Sequence, residues 1–211
     1  MKAAVIHAPG ESPQLEEFPA PSVRPGEALL RLRASPLTDV ARSMAAGRHI
    51  ASPRVFPAVA GADGAGLLPD GSRVYADGSR PPYGWMAETV VVAVDRCVPV
   101  PDTLDDLTAA TLPNAGLSSW LALVYRARLS RGETVLVLGA TGVSGRLAVP
   151  IAKHLGAGRV VAVGRNERAL EVLRGMGADA VIPLRQSEAD FSESLAAENG
   201  RRRIDVILDY L

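Results

Sequence analysis

Two kinds of hydrophobic pattern divide the chain. From residue 1 to about 100, short apolar runs (Ala3–Ala8, Glu27–Ala34, Gly66–Leu68, Arg73–Ala76, Glu88–Val94) alternate with clusters of Pro, Gly and Asp such as Pro69-Asp-Gly71. Short runs bounded by breakers predict strands and turns. One helix is expected at Thr38–Ala46, with Thr38 or Asp39 as its cap and Gly47 as its stop. From residue 133 the runs lengthen and alternate with helical patterns. Strands are predicted at Glu133–Leu138, Arg159–Val163, Ala180–Leu184 and Ile204–Asp209, and helices at Val143–Leu155, Glu167–Met176 and Glu188–Glu198. Strands that alternate with helices imply a parallel sheet. Val135-Leu-Val-Leu138 and Val160-Val-Ala-Val163 are unbroken apolar runs, as required when helices cover both sheet faces.

Between these regions a helix is expected to start at Thr103 with early acids at Asp105 and Asp106. Pro113-Asn-Ala-Gly116 is expected to interrupt it, and a second helix to begin at Ser118. The expected organisation is α/β, with a β-rich domain over residues 1–125 and a parallel α/β domain over residues 126–211. Gly156 and Gly177 sit where helices should stop.

Charge and composition narrow the function classes. Lys and Arg number 23 and Asp and Glu 23, so no net field draws the chain to nucleic acid or to an anionic membrane. The short apolar run after Met1 is no signal peptide, and no stretch reaches the ~18 apolar residues of a membrane helix. With a single cysteine, Cys97, an internal disulfide is impossible, which fits a reducing, cytoplasmic setting. Cys97 is expected to be an inert packed thiol, and Tyr75 and Tyr125 packing residues with a satisfied hydroxyl. Arg201-Arg-Arg203 reads as a solvated loop.

The candidate chemistry lies after the first parallel strand. Gly139, Ala140, Thr141, Gly142, Val143, Ser144 and Gly145 lead from strand into helix with the spacing Ala140-x-Gly142-x-x-Gly145. That is the dinucleotide fingerprint with alanine in the first glycine slot. Small residues allow a tight turn, bring backbone N–H groups to a pyrophosphate and let helix pack on strand; the helix N-terminus adds its positive dipole end. The unit expected is a Rossmann-type, doubly wound sheet of about four strands, incomplete against the usual six. At the end of the second strand an NAD site places Asp or Glu. This chain has Gly164, Arg165 and Asn166 there, and a guanidinium would pair with a 2′-phosphate that a carboxylate would repel. The ligand expected is therefore NADP(H). The plainer alternative leaves Arg165 a solvated cation and Asn166 a helix cap. Pro150, inside the following helix, predicts a kink away from the phosphates.

Beyond the fingerprint, Pro57-Ala-Val-Ala-Gly61-Ala-Asp63-Gly-Ala-Gly66, Gly71-Ser-Arg-Val-Tyr75, Gly84-Trp-Met-Ala-Glu88 and Asn114-Ala-Gly-Leu-Ser-Ser-Trp120 follow one another in an order and spacing that resemble the medium-chain dehydrogenase/reductase superfamily, in its zinc-free quinone oxidoreductase-like branch. The resemblance implies a GroES-like β-rich catalytic domain followed by the nucleotide domain, with the substrate between them. It also implies hydride transfer from NADPH to a quinone or an activated enone or carbonyl compound. Zinc-dependent members carry a His-Glu pair where this chain has Ala62-Asp63, and a cysteine near Pro36. With one cysteine and three histidines, neither zinc site of the family can be assembled.

Polarising a carbonyl without metal falls to hydrogen-bond donors. Ser35, Thr38, Asp39 and Asn114 are the pocket candidates, each with a structural alternative (Thr38 or Asp39 as helix cap, Asn114 as turn former), and no catalytic residue is assigned. By the resemblance, Tyr210 and Leu211 lie near the nicotinamide. His49 is expected in a surface loop, His7 at a strand end and His154 on a helix surface. Relative to the family the chain is expected to lack its last strands, so that either it is a fragment or a partner, such as a second copy, covers the open edge. Two other readings stay open: a catalytically silent NADPH-binding module, and an atypical short-chain, NmrA-like reductase sharing the Gly139–Gly145 turn. The ~130 β-rich residues upstream argue against the latter.

Overall fold

The computed structural model describes residues 1–184, 187–200 and 202–211. Backbone contacts divide the chain into two compact units, Met1–Pro113 and Asn114–Leu211. That division falls 12 residues before the change of domain expected from sequence at 125/126, inside a helix that runs through it.

The first unit consists largely of antiparallel sheet. Strands β1 (Lys2–Ile6), β2 (Gln14–Glu17) and β4 (Ala58–Val59) form a three-stranded sheet in the order β2-β1-β4. Strands β3 (Glu27–Ala34), β5 (Asp63–Leu67), β6 (Arg73–Asp77), β7 (Thr89–Ala93) and β8 (Val98–Pro99) form a second, ordered β7-β3-β5-β6-β8. Leu30, Val74, Trp85, Val90 and Val92 make its core. The predicted strands are present within a few residues. β2, β4 and β8 were not predicted: they have only two to four residues, and β2 (QLEE) has no apolar alternation, so pairing with β1 rather than local pattern creates it.

Helix α1 runs over Asp39–Ala45, with the Thr38 hydroxyl accepting from the Ala41 N–H at 3.1 Å. Helix α2 spans Asp106–Leu121. Here the structure corrects the sequence reading in three respects. Asp105, not Thr103, receives the Thr108 N–H, at 2.8 Å. Pro113 and Asn114 lie inside the helix rather than in a break; proline removes one backbone bond, but its fixed φ is helical. A new helix does not begin at Ser118; instead α2 passes into a π-helical segment, Ala122–Ala127, which closes at Arg128 with φ 51°. Tyr125, on that segment, is 68% exposed rather than packed.

The second unit is a four-stranded parallel sheet, ordered β11-β10-β9-β12, of β9 (Thr134–Leu138), β10 (Arg159–Gly164), β11 (Ala180–Pro183) and β12 (Val206–Asp209). Every neighbouring pair is parallel. Helices α3 (Val143–His154) and α4 (Glu167–Gly175) belong to one face, where Val135, Val137, Val160 and Ala162 meet Ala148, Val149, Leu170 and Leu173. Phe191 and Leu195 of α5 (Glu188–Glu198) pack with Leu136, Val161 and Ile182 of the other. α3 includes Pro150 and runs on to His154. Arg201, the first residue of the basic run, lies outside the described residues; Arg202 and Arg203 are exposed.

α2 is tied to the first unit's sheet at its N-terminus. The Asp106 carboxylate accepts from Arg73 Nη2 at 2.9 Å and from Arg33 Nε at 3.1 Å. Hydrogen bonds from Arg73 and then Arg33 hold its carboxyl below the usual carboxylate range. A lowered folded-state pKa contributes stability above the unfolded value, and that contribution is lost as pH falls through the folded one. Asp106→Ala is therefore expected to destabilise the chain by about 1–2 kcal/mol at neutral pH. In urea unfolding, the gap between variant and wild type should close as the pH falls below about 4; a gap of the same size in acid would refute the ion-pair account.

Candidate functional site

The site is built where β9 hands over to α3. β9 ends at Leu138, and Gly139 turns the chain with φ 71°, a conformation side chains disfavour. A Cβ there would stand 2.7 Å from the Tyr210 carbonyl oxygen. Ala140 N–H donates to Val163 O at 2.8 Å, fastening the turn to β10, and Gly142 N–H donates back to Gly139 O at 3.0 Å. Gly142 caps α3 without a side chain, so the first-turn N–H groups receive no cap bond from it. Gly145 lets α3 lie against this turn: a Cβ would press on the Gly139 carbonyl and come within 2.8 Å of Ala140 Cα.

A cavity of about 420 Å³ opens beside the turn, at the carboxyl ends of the strands, lined by Gly139, Thr141, Gly142, Gly164, Arg165, Leu184, Tyr210 and Leu211. Of the residues singled out from sequence, Gly139, Thr141, Gly142, Gly164, Arg165 and Tyr210 are on this wall. Ala140 is buried beneath it, and Val143, Ser144, Gly145 and Asn166 lie behind it or beside it. Leu184, which follows β11 and donates its N–H to Gly164 O at 2.7 Å, was missed; the rule that crevices form at carboxyl ends of parallel strands would have found it.

Arg165 is exposed and makes no hydrogen bond or ion pair with the described residues. The next residue, Asn166, is engaged: its side chain accepts from Ala169 N–H at 3.0 Å and caps α4. Thr141 packs so closely on Gly164 that a Cβ at 164 would lie 2.6 Å from its Cγ2. The wall thus combines open backbone N–H groups, a floor of glycine and one unspent cation.

The catalytic candidates of the first unit are placed differently. Ser35 Oγ donates to Asp63 O at 2.8 Å, Thr38 caps α1, and Asp39 is exposed beside Arg42. Asn114 is half-buried in α2. The Asp63 carboxylate is buried and accepts the Tyr75 hydroxyl at 2.6 Å. Burial first, then the bond to Asp63, pushes the Tyr75 hydroxyl far above its ordinary value, so it keeps its proton. Cys97 is half-buried and its thiol is pushed up by burial. The His49 ring accepts from Ala51 N–H, His7 pairs with Glu16, and the His154 ring lies 6.1 Å from that of Trp120.

A parallel β-α-β unit with an uncapped glycine turn over a crevice, following an antiparallel β unit, defines a dehydrogenase-type two-unit chain. The family model for zinc-binding dehydrogenases matches residues 144–211. A probable oxidoreductase from Mycobacterium abscessus is 30% identical, with TM-score 0.85, over 99% of this chain and 69% of its own. The quinone oxidoreductase of Thermus thermophilus, solved also with NADPH, is 30% identical over 99% of this chain and 65% of its own, at TM-score 0.84. The NADPH-dependent alkenal/one oxidoreductase of Arabidopsis thaliana is 31% identical over 77% of this chain and 46% of that protein. The chain belongs to the medium-chain dehydrogenase/reductase superfamily, among relatives that include quinone oxidoreductases. It spans only part of the curated proteins it matches, 6% of the mycobacterial polyketide synthase subunits that share 141 aligned residues with it. This membership removes the short-chain, NmrA-like alternative.

Zinc does not fit the donors present. No group of three or more His, Cys, Asp or Glu residues among the described residues could hold a metal ion. Asp63, beside Ala62, already accepts a hydrogen bond from the Tyr75 hydroxyl. No helix among them is long and apolar enough to cross a membrane. Gly145→Ala is expected to destabilise the fold by about 1–3 kcal/mol, because the methyl has no direction in which to relax. Thermal unfolding measures this, and an unchanged midpoint would contradict the contact geometry.

Proposed function

We propose that the chain binds NADP(H) along the Gly139–Gly145 turn, with Gly164, Arg165 and Asn166 at the adenosine end and Tyr210 at the other. We propose further that it takes part in hydride transfer to a small quinone or activated enone or carbonyl compound, without zinc. Residues 126–211 are read as the cofactor domain and residues 1–125 as the substrate domain. The observation that carries the reading is the unpartnered Arg165 guanidinium on the wall of the glycine-lined cavity. A 2′-phosphate there gains a charge-assisted, bidentate partner without breaking an existing ion pair. The pyrophosphate takes the open N–H groups at the start of α3, and bound nicotinamide supplies the hydride. The relatives named as NADPH-dependent, or solved with NADPH, support the choice of cofactor. A balanced charge and one high-pKa thiol suit a small-molecule substrate and a reducing cytoplasmic setting rather than nucleic acid or membrane; a homo-oligomer is compatible with the same reading.

Titration with NADPH and NADH, followed by nicotinamide fluorescence, is expected to favour NADPH. Arg165→Glu should lower that preference by about 10- to 100-fold, the worth of a charge-assisted bond to phosphate. An undiminished preference in the variant would refute the assignment. Separately, NADPH should be consumed when para-benzoquinone or a small alkenal is added. Tight binding with no consumption across such a panel would turn the reading to a silent NADPH-binding module.

A further inference from the structure

Ser119 on α2 is completely buried, within the second unit. A desolvated hydroxyl must find partners, and its Oγ has two: the Ser144 carbonyl oxygen in the first turn of α3, at 3.1 Å, and Tyr210 Oη, at 2.8 Å. Chemistry sets the direction of both bonds. A carbonyl only accepts and serine has one proton, so Ser119 donates to Ser144 and the Tyr210 hydroxyl donates to Ser119. Tyr210 is held at its other end as well, where its N–H donates to Leu138 O at 3.1 Å and its carbonyl lies against Gly139. Between these anchors Tyr210 lines the cavity.

The strand order gives this latch a location. β10, which leads into Arg165, lies on one side of β9, and β12, which leads into Tyr210, on the other. A dinucleotide across the carboxyl ends, with its 2′-phosphate at Arg165, brings its other half over β12. We propose that Ser119 is a positioning residue that holds Tyr210 as the wall against which the nicotinamide half of NADP(H) rests. The inference depends on the NADP(H) reading above. The relay joins the cavity wall to Ser144 in the first turn of α3.

The test compares two ligands on wild type, Ser119→Ala, Tyr210→Phe and the double variant. NADPH reports the whole site; adenosine 2′,5′-bisphosphate, measured by calorimetry, reports only the Arg165 end. Each single variant is expected to bind NADPH about fivefold more weakly, as for one neutral hydrogen bond. The double variant should lose little more, since both changes cut the same link. Adenosine 2′,5′-bisphosphate should bind all four alike. Equal weakening of both ligands, or full NADPH affinity in the variants, overturns the inference while leaving the cofactor reading in place. A wild type that binds neither ligand overturns that reading and the inference with it. Tyr210→Phe keeps the ring and decides the matter by itself if Ser119→Ala does not fold.

Discussion

Where α3 meets the ends of β9 and β10 there is no space for a side chain, and much else in the second unit follows from that. A Cβ at Gly145 would strike the Gly139 carbonyl, one at Gly164 would strike Thr141, and one at Gly139 would strike the backbone of Tyr210. Three glycines thus meet neighbours around one turn, from the start of α3, the end of β10 and the end of β9. The approach is held by apolar packing, with Val135 and Val137 of β9 against Ala148 and Val149 of α3, all buried. Burying a valine contributes about 1.5–3 kcal/mol, against about 0.3 kcal/mol forgone by having glycine rather than a hydroxyl or amide side chain at the helix cap. The packing wins, and the first-turn N–H groups are left free at a crevice.

The parallel sheet could be read in the chain because its signal is local. Val135–Leu138 and Val160–Val163 are apolar without alternation, as strands covered by helices on both faces must be, and each is followed by a helical pattern. The glycine turn and Arg165 were legible for a similar reason: spacing from the first strand places them. What escaped was created by tertiary contact. β2 exists because Lys2–Val5 pairs with Gln14–Glu17, not because QLEE favours a strand. α2 runs through Pro113 because packing of its flanks outweighs one missing backbone bond. Ser119 had no signature at all, since a serine inside a helix shows nothing of its partners until Ser144 and Tyr210, 25 and 91 residues away, are brought to it.

The family model that matches is named for zinc binding, and the residue at the family's expected ligand position is engaged within the fold. The residue beside Ala62 is a carboxylate, but Asp63 is enclosed and accepts the Tyr75 proton, while its own carbonyl accepts from Ser35. Burial and the neighbouring carboxylate both oppose ionisation of Tyr75. The protonated Tyr75 hydroxyl therefore serves the fold as a donor to Asp63, joining β5 to β6. Releasing Asp63 to a metal would leave the Tyr75 hydroxyl without its acceptor, a loss of about 1–3 kcal/mol, with no cysteine or histidine cluster among the described residues to compensate.

The same economy of charge explains the residue after Arg165. Aspartate caps a helix about as well as asparagine, and at the positive end of α4 its charge would add favourable dipole energy. Asn166 forgoes that gain. An Asp at this position would stand next to the guanidinium and draw it into an ion pair, or, with a phosphate present, repel it. A neutral cap satisfies the Ala169 N–H and adds no charge of its own beside Arg165. The absence of an acid at 166 thus leaves Arg165 without a competing carboxylate at the adjoining position.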